Sequence, residues 1–90
     1  MAKLPVVPGQ PRLEPIDPHS ATPSYAQLAD QLRKLISDGA YGPGDYLPSQ
    51  TQLVGETGLA RGTVIHALQV LEAEGLIRSV PGRGTVVLPA

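Results

Sequence analysis

Residues 49–75, SQTQLVGETGLARGTVIHALQVLEAEG, decide how this chain is read. Ser49, with Gln52 three positions on and Pro48 just before, has the pattern of a capping box that opens a helix. This short helix runs from about Ser49 to Glu56 and buries Leu53 and Val54, and Thr57-Gly58 breaks it. A longer helix follows from about Arg61 to Glu74, with Val64, Ala67, Leu68 and Leu71 as its apolar stripe. Gly75 ends it. A short helix, a glycine-containing turn and a longer helix are the ingredients of a helix-turn-helix.

Working outward, Leu76-Ile-Arg-Ser-Val80 reads as a strand, Pro81-Gly-Arg-Gly84 as a turn and Thr85-Val-Val-Leu88 as a returning strand. Upstream, Tyr25, Leu28, Ala29, Leu32, Leu35 and Ile36 recur at helical spacing. Thr22 is expected to cap that helix, Pro23 to take its first position and Gly39 to end it. Gln27, Asp30, Arg33 and Lys34 fill its wet face. Residues 39–49 form a connector with tight turns, anchored by Leu47. The expected fold class is α+β: a winged helix-turn-helix over residues 22–88, three helices followed by a two-stranded β-hairpin wing. Residues 1–21 carry Pro5, Pro8, Pro11, Pro15 and Pro18 and are expected to be an extended or disordered arm, the alternative being a strand or arm that packs on the domain or a partner.

Composition narrows the function. The chain has no cysteine, which excludes disulfides and thiolate metal sites and suits a reducing cytoplasm. No apolar run approaches the length of a membrane span, and the start does not read as a signal peptide. Two histidines without cysteine or an organised carboxylate pair are too few for a metal site. No Ser/His/Asp arrangement or pair of carboxylates in an apolar setting suggests catalysis, and Pro81–Gly84 lacks the Gly-Lys-Ser/Thr ending of a nucleotide loop. The expectation is no enzyme, no cofactor and no small-molecule effector site in this chain.

A net charge of −1 argues against a nucleic-acid partner, but the distribution of charge argues for one. Arg61 is the only charged residue from Gly58 to Val70, and Arg78 and Arg83 are the only ones from Leu76 to Ala90. In a helix-turn-helix the second helix offers its first residues to base edges in the major groove. Here those are Arg61, Gly62 and Thr63, with His66 one turn on. Arg61 can give guanine O6 and N7 two hydrogen bonds, and Gly62 lets the backbone come close. The helix start itself favours a phosphate. Arg83, between Gly82 and Gly84 at the hairpin tip, can reach the minor groove or the backbone. Arg78, Arg33 and Lys34 are expected to be solvated, and His19 has no assigned role.

Five ordered blocks resemble the DNA-binding domain of the gluconate-repressor (GntR) family of bacterial transcription regulators. They are YAQLADQL (25–32), GAYGPGDYLPS (39–49), TGLARGTV (57–64), LEAEGLI (71–77) and PGRGT (81–85). The resemblance implies a winged helix that binds a palindromic double-stranded operator as a homodimer, most often as a repressor. It assigns contacts to Arg61, Gly62 and Thr63 on the recognition helix, 61–74, and to Gly82, Arg83 and Gly84 on the wing. It places Ser49 and Gln50 near phosphates. Relatives often carry arginine where Thr51 and Ile65 stand, and serine or threonine where Ala60 stands. Relatives also usually continue into a C-terminal effector domain; this chain without it is expected to be either a minimal regulator or one domain of something longer. Two other functions fit the same fold. One is a protein-interaction module; the other is a plasmid or phage accessory DNA-binding factor.

Overall fold

The computed structural model describes residues 13–89. Three helices, α1 (Ser24–Ser37), α2 (Gln50–Thr57) and α3 (Arg61–Ala73), precede two antiparallel strands, β1 (Ile77–Val80) and β2 (Gly84–Val87). The expected α+β architecture is therefore present, and each element lies within about two residues of its expected position. Leu28, Leu32, Leu53, Val64, Leu71, Ile77 and Val87 form the most deeply buried centre. All three helices and both strands thus contribute to one core.

Two expected helix starts differ in detail. Thr22 does not cap α1. The carbonyl of Pro23 accepts the first intrahelical bond, from the Gln27 N–H at 3.0 Å, so the helix starts one residue later. The Thr22 carbonyl instead accepts from Gln27 Nε2 at 2.8 Å. At α2, Ser49 does cap, its Oγ accepting the Gln52 N–H at 3.0 Å. The return half of the box is absent, because the Gln52 amide donates to the Glu56 carboxylate at 2.9 Å. That bond turns the side chain forward along α2, away from the Ser49 N–H that its oxygen would accept in a closed box.

The connector does more than turn. Leu47 is buried as expected, and so is Tyr41, which the spacing did not single out. Burial pushes the Tyr41 phenol up, and the Glu56 carboxylate adds to this. Beyond it the chain pairs with the outer edge of β2. Gly44 N–H donates to the Val87 carbonyl at 2.8 Å, Val87 N–H to the Asp45 carbonyl at 2.8 Å and Leu47 N–H to the Thr85 carbonyl at 2.9 Å. The wing is therefore a hairpin with a short third edge around Tyr46.

Of the proline-rich segment, residues 1–12 lie outside the described residues. Residues 13–22 run back along α1. Gln31 holds Glu14 through both its amide groups, accepting the backbone N–H at 2.7 Å and donating to the carbonyl at 2.9 Å. Gln27 does the same for Asp17, at 2.9 and 2.7 Å. Prolines leave few backbone donors, and these two side chains serve the ones between them. Leu13 and Ile16 pack against the core beside them.

Arg33, expected to be solvated, joins α1 to the end of α3. Its guanidinium donates twice to the Glu74 carboxylate, at 2.9 and 2.7 Å, and once to Asp30 at 2.6 Å. The hydrogen bonds from Arg33 hold the Glu74 carboxyl below its usual range. A depressed acid stabilises the fold above its unfolded-state pKa, about 4.3, and that contribution disappears as pH falls through the folded value. Arg33→Met should therefore lower Tm at pH 7, and the gap to wild type should narrow at pH 3. A gap of equal size at both values would show that the pair contributes no pH-linked stability.

Candidate nucleic-acid interface

The turn between α2 and α3 is built on Gly58, whose φ of 73° is left-handed and whose N–H closes the helix on the Val54 carbonyl. The Thr57 hydroxyl bridges it, donating to the Leu53 carbonyl at 2.7 Å and accepting the Leu59 N–H at 3.2 Å. A Cβ at Gly58 would meet nothing within 4 Å, so only the backbone conformation demands glycine. Gly58→Ala should cost about 1–2 kcal/mol. Gly58→Asn should cost less, since asparagine tolerates this conformation. Urea unfolding of both variants checks this, and equal costs would sink the conformational explanation.

The start of α3 is open. Its N-cap is Ala60, which has no side chain to offer. Among the described residues, the N–H groups of Arg61 and Gly62 have no hydrogen-bond partner. Such groups, together with the helix dipole, suit an anion. Arg61 and Gly62 are exposed, and Gly62 has open space around its Cα. Thr63 is half-buried behind them.

Arg61 is held by the start of the preceding helix. Its Nη2 donates to the Thr51 hydroxyl at 3.2 Å and its Nη1 approaches Gln50 Oε1 at 3.5 Å. Sequence reasoning noted Thr51 only as a missing arginine. Here it is an acceptor that holds the cation at the mouth of α3. Ser49, the cap of α2, lies next to this pair.

His66, one turn further on, stacks on Tyr25 of α1 with ring centroids 3.9 Å apart and planes 12° apart. Its ring is exposed but fixed in orientation by α1. The periodicity of α1 marked Tyr25 as a core residue, and nothing in it signalled this stack.

The wing flanks the same helix. Gln50 of α2, Ile65 and Gln69 of α3, Ser79 of β1 and Thr85 of β2 line one cleft. At the tip the Arg83 N–H donates to the Val80 carbonyl at 2.9 Å, closing a turn over Pro81 and Gly82. Gly82, with φ of 75°, supplies the positive angle that a type II turn needs after proline. Gly82, Arg83 and Gly84 are all exposed.

The electrostatics follow from who is paired. The ion pairs among the described residues both use Arg33, so Arg61, Arg78 and Arg83 have none. Several acids are engaged away from this face. Asp30 and Glu74 hold Arg33, Asp45 caps the Gly42 N–H at 2.7 Å and Glu56 takes Gln52. Glu72 does line the cleft, where its carboxylate accepts the Ser79 N–H at 3.4 Å, but among the described residues it forms no ion pair with Arg61, Arg78 or Arg83.

Comparison with known proteins identifies the family and the fold. A family model described as bacterial regulatory proteins, gntR family, matches residues 24–87. The transcriptional repressor YtrA of Bacillus subtilis is 42% identical over 72 residues, which is 80% of this chain and 55% of that protein. The pyridoxine biosynthesis transcriptional regulator PdxR of Corynebacterium glutamicum is 38% identical over 74 residues, 82% of this chain and 16% of that one. The chain therefore spans at most about half the length of these curated relatives. Among solved structures, YtrA from Sulfolobus acidocaldarius, a GntR-family transcription factor, superposes with a TM-score of 0.76 at 43% identity. That match covers 83% of this chain and 79% of the other. The DNA-binding domain of AraR in complex with operator ORX1 superposes at 0.78 with 32% identity, over 87% of this chain and 99% of that one. With the family's helices, turn and wing in place across residues 24–87, the chain belongs to the gntR family of bacterial regulatory proteins.

Proposed function

We propose that this chain regulates transcription, as a repressor, by binding a specific double-stranded operator in the cytoplasm, with no catalytic step of its own. The observation that carries this is the open start of α3, where unpartnered N–H groups and the uncompensated Arg61 share one exposed turn. The likeness to the AraR domain, whose structure is a complex with operator DNA, supports it. In the proposed pose α3 enters the major groove with Arg61, Gly62, Thr63 and His66 toward the bases. Ser49 and Gln50 meet the phosphates, and Gly82, Arg83 and Gly84 meet the minor groove or backbone.

So few cations per copy favour a homodimer on a palindrome, since two copies double the phosphate contacts without new chemistry. Selection from a random duplex library tests the whole reading. The expected product is a palindrome with half-sites about one helical turn apart. Its affinity should fall with salt at a logarithmic slope of about −0.9 per phosphate neutralised. Recovery of no enriched sequence would shift the function to a protein-interaction module on the same fold.

A further inference from the structure

We propose that Tyr46 is a positioning residue for the wing, a buttress that sets where Arg83 meets DNA. The inference rests on the wing contact proposed above. The hairpin poses a mechanical problem. Both strands of the hairpin are only four residues long, and a hairpin of that size alone is marginally stable in water. The connector solves part of it. Its three backbone hydrogen bonds to β2 reach from Val87 to Thr85 and stop there. The tip beyond Thr85 carries Arg83, the residue that must be aimed.

The tip is braced from the side by the Tyr46 ring. A Cβ built on Gly84 would lie 3.5 Å from Tyr46 Cδ2 and 4.0 Å from Cε2, so the ring stands beside the glycine within reach of van der Waals contact. Gly84 also has φ of 123°, a conformation that side chains rarely adopt. The backbone conformation is therefore what demands glycine at 84, and the ring lies alongside it. Tyr46 is 44% exposed and is the large apolar residue left most open among the described residues. A ring in that position adds little to the core. It lies beside the wing at Gly84.

Tyr46 also stands where it can couple two parts of the interface. Its backbone bridges to Val86, and three residues later Ser49 caps α2, whose Gln50 approaches Arg61. The stretch from Tyr46 to Ser49 therefore links the wing tip to the start of α2. A ring fixed at one end of so short a link limits how far the wing can swing relative to the recognition helix. Nothing in the helical or strand periodicity marks Tyr46, because it belongs to neither element.

The test uses Tyr46→Ala, Tyr46→Phe and Arg83→Ala in the full chain. In the free protein, the Arg83 amide, bonded to the Val80 carbonyl, should exchange with solvent several-fold faster in Tyr46→Ala and at the wild-type rate in Tyr46→Phe. On the duplex recovered by selection, Tyr46→Ala should weaken binding roughly 3- to 10-fold, a range usual for coupled neighbours. The double variant with Arg83→Ala should bind no worse than Arg83→Ala alone. Unchanged exchange in Tyr46→Ala overturns the buttress whatever the DNA result, as does multiplication of the two binding defects. If exchange rises but Arg83→Ala binds normally, the buttress stands and the wing contact in the proposed function falls.

Discussion

Arg61→Ala should weaken binding to the selected operator by about 1–3 kcal/mol, roughly 5- to 150-fold, and relax specificity at one base pair of each half-site. The size follows from isolation. Arg61 is the only charged side chain from Gly58 to Val70, so no neighbour on the leading turn of α3 can substitute for it. The direction follows from geometry. The guanidinium is restrained by Thr51 and Gln50, so part of the ordering entropy of a long side chain is lost before DNA arrives. Both partners are neutral acceptors, so they orient the cation without cancelling its charge. Arg61→Lys should rescue little, because one ammonium cannot reproduce a two-bond fork. Titration against operators varied one base pair at a time separates the roles. A loss confined to one position marks base readout. A uniform loss marks a phosphate contact. Wild-type affinity and specificity in Arg61→Ala would remove Arg61 from the interface.

The helices were legible in the sequence because each announces itself locally. Apolar spacing marks Leu28 to Leu32 and Val64 to Leu71, and glycines stop α1, α2 and α3. Both α1 and α3 end alike. Gly39 and Gly75 return their N–H groups to Ile36 and Glu72, and the next residues reach Leu35 and Leu71. What the sequence hid is long-range and made by side chains without a period. Arg33 and Glu74 stand 41 positions apart, and Gln31 and Glu14 stand 17 apart. The connector's pairing with β2 was equally invisible, since a stretch rich in glycine and proline reads as turns whether or not its remaining N–H groups find an edge strand. At the interface, the types Arg61 and Arg83 could be read off directly. The way Thr51, Tyr25 and Tyr46 hold their neighbours could not, because each acts through a contact with another element.

Leu53→Ala should be among the most damaging single truncations, and its damage should extend beyond stability. Leu53 is fully buried and is the one residue of α2 that is. Emptying such a site costs about 2–5 kcal/mol. A domain of this size has about 5–15 kcal/mol in all, so the variant should unfold well below the wild-type temperature. Leu71→Ala in α3 should cost a similar amount, and the two variants together isolate what α2 contributes. The rest of α2 is tied down by half-buried Val54 and by its caps, so losing Leu53 frees the helix to shift. Gln50 and Thr51 would shift with it, away from the Arg61 guanidinium. Leu71 lies on α3, which three other fully buried or nearly fully buried residues still anchor: Val64, Ala67 and Leu68. Measured at a low temperature where circular dichroism shows both variants folded, Leu71→Ala should bind the operator as wild type does, and Leu53→Ala should stay weaker. Equal binding by the two folded variants would mean that α2 holds its place without Leu53, and that Arg61 does not depend on α2 for its aim.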